Sequence, residues 1–215
     1  MGRGRLAASH GMQQAISTPA PPTYLKLDWT GHQALMREMG QTGTEGQGYV
    51  NTSQSFIVNR FLRNGGNIID AHKATSNWSW LTRSDIQATI RRMDSQMRPL
   101  SRDIQAVRYT GPGILQELGL PAQATAATAR TLQRRIQHSR SFDYTPKAYT
   151  SVSTDNSANV FTGMPVKINY KIGKGTPCIV TANMPESEVV LGRGVKHKLT
   201  GARWVNGKLE IDVTV

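Results

Sequence analysis

Three features of the sequence predict an α+β fold, helices first and a mostly antiparallel strand assembly after them. Apolar residues recur at helical spacing between residues 24 and about 100. Beyond about 104 they alternate with polar residues, and an Asn-Gly pair joins the last two alternating segments.

The elements follow in order. Residues 1–23 lack periodicity and end in Ser17-Thr18-Pro19-Ala20-Pro21-Pro22, a flexible basic, proline-rich tail ahead of a single domain over 24–215. Asn51-Thr52-Ser53 offers N-cap side chains to a helix carrying Phe56, Ile57, Phe61 and Leu62, which Asn64-Gly65-Gly66 stops. Ser84-Asp85-Ile86-Gln87 has a capping-box pattern, and Ile86, Ile90, Met93 and Met97 then form one buried stripe. An Ala-rich helix is expected over about 122–138. Val166, Ile168, Tyr170 and Ile172 alternate with Lys167, Asn169 and Lys171, a half-buried strand. Leu209, Ile211 and Val213 repeat the pattern after Val205-Asn206-Gly207-Lys208, whose Asn-Gly suits a type I′ turn.

Composition narrows the function classes. The 215 residues can bury a real core, while 38% hydrophobic content with 20 Gly and 10 Pro indicates many turns. No apolar run is long enough to cross a bilayer, so no membrane partner is expected. Met1-Gly2-Arg3-Gly4-Arg5 carries the charge of a signal peptide, but Leu6–Gln14 is too polar for its apolar region. The expectation is a protein that stays where it is made. Cys178 is the one cysteine, which rules out an internal disulfide and reads as a small buried apolar residue. A net charge of +12 argues for an acidic partner: a nucleic acid, an acidic protein surface or an anionic lipid face. Part of the excess sits in Arg130, Arg134, Arg135, Arg140 and Lys147, and from Arg130 to Arg140 no Phe, Tyr or Trp is interleaved to stack bases.

Three motifs carry chemistry. Arg108 lies in an apolar, strand-like stretch followed by Gly111-Pro112-Gly113; a forked donor beside a glycine turn suits a phosphate. Tyr149-Thr150-Ser151-Val152-Ser153 places two hydroxyls on one strand face. Glu186-Ser187-Glu188 precedes the apolar Val189-Val190-Leu191. If that run is a strand, the two carboxylates project side by side and raise each other's pKa. An isolated pair of this kind reads as a solvated loop edge; its company upstream is what gives it meaning.

Arginine, then aromatic-x-Ser-x-Ser, then Glu-x-Glu, in that order, resembles the R-S-E group of mono-ADP-ribosyltransferases. The likeness is to its arginine-modifying branch, which includes bacterial binary toxins and related phage and bacterial enzymes. Tyr49 and Asn59-Arg60-Phe61-Leu62-Arg63 resemble the family's tyrosine-bearing helix and its Asn-x-x-Leu-Arg helix. Val189–Val215 resembles its closing strands, with Gly192-Arg193-Gly194 as a turn.

The resemblance implies a two-sheet, mostly antiparallel core with a cleft for NAD, which serves as cosubstrate, and no metal. Glu188 would stabilise the positive charge developing on the ribose, and Ser151 would hold Glu188. Arg108 would bind the diphosphate. Tyr109, Thr110 and Gly111 would line the nicotinamide amide, and Phe161 would stack on its ring. Glu186 would activate a target arginine while Ser187 points away. Thr181–Pro185 would recognise that target, and it lacks an aromatic. Val152 stands where the family often has threonine, and Gly113 where some relatives have a polar residue. The implied activity is transfer of ADP-ribose from NAD to arginine on a target protein, releasing nicotinamide. The alternatives are the same core acting on RNA or DNA, an NAD glycohydrolase, or a non-catalytic basic binding protein. The implied setting is a toxin or effector in the cytoplasm of a target or host cell, with an inhibitor or antitoxin as a further partner.

Overall fold

The computed structural model describes residues 22–50, 53–75, 80–139, 142–155 and 161–215. Most of the tail, the capping candidates Asn51 and Thr52, and Arg140 lie outside them. Four helices come first: α1 (Trp29–Glu38), α2 (Gln54–Arg63), α3 (Ile68–His72) and α4 (Arg83–Gln96). Strands β1 (Arg98–Pro99) and β2 (Ile104–Thr110) follow, then α5 (Ile114–Glu117) and α6 (Ala126–Ser139). The chain closes with β3 (Phe142–Tyr144), β4 (Thr150–Ser153), β5 (Val166–Ile172), β6 (Pro177–Val180), β7 (Glu188–Leu191), β8 (His197–Val205) and β9 (Lys208–Thr214).

The helices start and stop for local reasons. Asp28 caps α1 by accepting from the Gly31 N–H at 2.8 Å. The capping box of α4 is Thr82 with Asp85, not Ser84 with Gln87: Asp85 accepts from the Thr82 N–H at 2.8 Å, and the Asp85 N–H donates to the Thr82 hydroxyl. The shorter aspartate reaches back over the same three residues. Helix α2 ends as expected at Asn64, with Gly65 and Gly66 at positive φ. Ser53 makes no side-chain capping bond to α2, and Phe56 stands on its solvent face, 63% exposed.

The strands form one nine-stranded sheet in the order β1-β6-β7-β4-β2-β5-β9-β8-β3. The expected pair of separate sheets is therefore one continuous sheet. Its narrow place is between β4 and β2, which share the single register pair Val107↔Ser153. Ladder β5–β9 is parallel and the other seven are antiparallel. The β8–β9 turn has Asn206 and Gly207 at φ 49° and 76°, as a type I′ turn requires.

Two apolar clusters hold the sheet. One packs α1, α5 and α6 against Ile104, Val152, Ile168, Val189, Leu191 and Ile211. The other packs α2, α3 and α4 with Tyr49 and Tyr149 against Ile179 and Val190. Strand β7 lies between them: Val189 and Leu191 enter one cluster, Val190 the other. A strand buried on both faces reads as a continuous apolar run, which explains Val189-Val190-Leu191. Cys178 sits in the first cluster, fully buried, its thiol pushed up to about 12 by burial.

Candidate active site

Strand pairing brings the three motifs together. Ser153 lies opposite Glu188 in the β4–β7 ladder, and Val107 lies opposite Ser153 in β2. Arg108, next to Val107, donates from Nη1 to the Ser151 carbonyl at 3.0 Å. The Ser151 hydroxyl, two residues from Ser153 on the same strand face, hydrogen-bonds the Glu188 carboxylate. Ser153 is used differently: its hydroxyl donates to the Asp155 carbonyl at 2.7 Å and closes the turn after β4.

Glu188 is buried, and its pKa is raised from the ordinary carboxylate value to about 7. Burial is the largest cause and neighbouring Glu186 adds to it, while the Ser151 bond and Arg108 oppose it. Glu186 is half-buried, and burial raises its pKa as well. Only Glu188 belongs to the strand. Ser187 takes φ 43°, so Glu186 reaches the site from a turn and not by strand alternation. The Ser187 side chain is fully buried, with an unpartnered hydroxyl.

That turn is fixed from outside the motif. The Ser187 carbonyl accepts from the Thr154 N–H at 3.0 Å, and the Thr154 hydroxyl oxygen lies 3.2 Å from it. His32 of α1 is buried, and burial lowers its pKa, favouring neutral imidazole. Its Nε2–H donates to the Thr181 carbonyl at 2.8 Å, and its Nδ1 lies 2.9 Å from the Thr154 hydroxyl. The Thr181 N–H donates to the Glu188 carbonyl at 3.0 Å. Nothing in the local sequence marks His32, because its partners lie far along the chain.

Tyr49 completes the floor. Its phenol accepts from Asn59 Nδ2 at 2.7 Å, and its ring meets Tyr149 edge-on at 5.3 Å. Burial holds the phenol well above its usual range. The Asn59 bond, Arg108 and Arg63 oppose that shift and Glu188 reinforces it, so the charges of Glu188, Arg108 and Arg63 converge on one hydroxyl. Arg63 is paired with Glu117 at 3.0 Å. Behind the floor, Tyr149 donates to Asp94 of α4 at 2.7 Å, and Arg193 bonds the same carboxylate. Tyr49, Asn59, Arg63 and His32 are thus site residues or supports beyond those the three motifs name.

The remaining predicted residues cluster at the end of β2. Tyr109 and Thr110 pair with Lys167 and Val166, and the chain then turns at Gly111. A Cβ at Gly111 or Gly113 would meet nothing within 4 Å, and neither has positive φ. Neither packing nor backbone conformation demands these glycines; they leave open surface that a ligand can approach. Phe161 is 46% exposed and stands just ahead of β5, whose first residue, Val166, faces Thr110. It therefore lies toward the same end of the sheet as the Gly111 turn. No cluster of metal-ligating side chains occurs among the described residues.

No protein-family model matches the chain. No curated protein matches it either. Solved structures do. The ADP-ribosylating toxin BECa of a binary enterotoxin of C. perfringens, solved with NADH, superposes with TM-score 0.61 at 17% identity, over 85% of this chain and 45% of that one. Plx2a, an ADP-ribosyltransferase toxin from Paenibacillus larvae, gives 0.56 at 16% identity, over 86% and 96%. C3stau2 from S. aureus, solved with NAD, gives 0.56 at 16% identity, over 91% and 99%. At identities this low the likeness is one of architecture: the chain has the fold of the ADP-ribosyltransferase toxins.

Proposed function

We propose that the chain cleaves NAD and transfers its ADP-ribose to arginine side chains of a target protein. The observation that carries this reading is Glu188: a buried carboxylate, bonded by Ser151, close to Arg108, and without a salt-bridge partner among the described residues. The guanidinium groups of Arg108 and Arg63 suit a diphosphate, and the open Gly111–Gly113 turn gives room for the nicotinamide end. As the bond between ribose and nicotinamide breaks, positive charge grows on the ribose and nicotinamide leaves as the neutral amide. Ionised Glu188 stabilises that charge. A new bond forms between the ribose carbon and a guanidinium nitrogen of the target, and Glu186 takes the proton that the nitrogen loses. Phe161 is assigned to stacking on the nicotinamide ring.

The test uses the whole chain, a cell lysate and NAD labelled in its ADP-ribose part. Label that protease removes and nuclease does not, located on arginine by mass spectrometry and absent with Glu188→Gln, supports the reading. Label removed by nuclease supports transfer to nucleic acid, a second reading favoured by the net charge of +12. Nicotinamide release with no labelled macromolecule indicates an NAD glycohydrolase. No NAD turnover at all overturns the enzymatic reading.

A further inference from the structure

The basic stretch of α6 contains no aromatic residue, but the fold supplies one from β8. Ala202 packs under α6, and its N–H donates to Gln133 Oε1 at 2.7 Å. Two residues on, Trp204 lies on the same face of β8, where its strand partner Leu209 is core. Its indole reaches the rim of a groove of about 400 Å³ between α6 and β8 and is 38% exposed. Ala126, Ala129 and Ala202 give the groove a shallow, smooth floor. Arg130, Gln133 and Arg134 line its helix side, Arg203 borders it from the strand, and no acidic residue is among those lining it.

The charges differ across the groove. Arg203 is paired with Glu210 and Asp212. Arg130 and Arg134 are exposed and have no carboxylate partner among the described residues; Arg134 Nε makes a weak bond to the Arg130 carbonyl at 3.4 Å. They stand four residues apart on the helix, about 6 Å along its axis. That is comparable with the step between neighbouring phosphates of an extended strand. An exposed indole beside two unpaired guanidinium groups offers one face for a base and two donors for its phosphates. An acidic peptide would use the arginines but gives the indole no flat partner to stack on.

We propose that the α6–β8 groove binds single-stranded nucleic acid. The proposal stands apart from the NAD reading, since no residue of the groove belongs to the candidate active site. The test is fluorescence anisotropy of a labelled oligothymidylate of about twelve nucleotides, titrated with the full chain at several salt concentrations. Trp204→Ala is expected to weaken binding roughly 5- to 150-fold, the range for loss of one stacked base. Arg130→Gln/Arg134→Gln is expected to lower the slope of log affinity against log salt by about 1.4, two phosphate contacts' worth. That double variant changes only exposed helix positions, so it keeps the test sound should Trp204→Ala lose fold. Arg91→Gln/Lys174→Gln removes the same charge from exposed sites elsewhere and is expected to bind nearly as the parent does. NAD hydrolysis is expected to be unchanged in every variant. Absence of binding by the parent overturns the proposal, as does equal weakening in the Arg91/Lys174 control or unchanged binding in both groove variants. Tighter, Trp204-dependent binding of a polyglutamate peptide overturns it in favour of an acidic protein.

Discussion

The chain contains two acid-x-acid pairs, Glu186-Ser187-Glu188 and Glu210-Ile211-Asp212, and the fold treats them in opposite ways. Glu210 and Asp212 point outward from β9 into a concavity of about 840 Å³, on the far side of the central strands from the core. They are neutralised: Lys167 reaches Glu210 at 3.3 Å, Asn169 reaches Asp212 at 3.0 Å, and Arg203 bonds both. Glu188 is buried, with a serine hydroxyl for a partner and a second acid beside it. The spacing is the same. What separates the two pairs is whether the surrounding strands place a cation within ion-pair distance.

Glu188→Gln is expected to lower both transfer and NAD hydrolysis by on the order of 10³-fold in assays with labelled NAD, with circular dichroism unchanged. Near-parental turnover would show that Glu188 does not stabilise the charge on the ribose.

The same substitution is expected to stabilise the fold. The folded-state pKa of Glu188 is raised from 4.5 to about 7, so between those values the folded chain keeps a proton that the unfolded chain has lost. The cost of the buried carboxylate therefore appears as pH rises through that window and is complete above it. Denaturant melts should find Glu188→Gln more stable than the parent by on the order of 3 kcal/mol above pH 7, with little difference below 4.5.

Glu186→Ala is expected to lose transfer to arginine by about 10²-fold while NAD hydrolysis continues. Because Glu186 helps raise the Glu188 pKa, the acid limb of hydrolysis should move to lower pH in this variant. Parallel loss of both activities, or a limb moving upward, would remove Glu186 from the acceptor side. Glu210→Gln should change stability by less than about 1 kcal/mol and leave NAD turnover alone, as expected of an ion pair at a partly solvated surface.

Much of this was legible in the sequence because strand pairing gathers segments whose residue types and order already mark them. Arg108, Ser151 and Glu188 were recognisable from residue type, order and setting, and β5, β9 and their Asn-Gly turn from a period of two. The misread details share a cause. Ser187 at positive φ, the single narrow pairing of β2 with β4, and the His32–Thr154–Ser187 support all depend on contacts between segments distant in sequence. The same holds for Trp204, invisible from α6 until β8 is laid beneath it. Thr82 replaced Ser84 as a cap for the opposite reason: local competition between two similar hydroxyl-bearing residues two positions apart.

Cys178 has a consequence for handling as well as packing. A thiol that ionises only near pH 12 and has no solvent-facing surface offers almost no nucleophile at neutral pH. Alkylating reagents should leave the native chain unmodified until it unfolds. With no second cysteine to pair with, oxidants can neither cross-link it internally nor readily join two native copies through sulfur. The fold is thereby indifferent to whether its surroundings are reducing or oxidising, and thiol labelling becomes a direct reporter of unfolding.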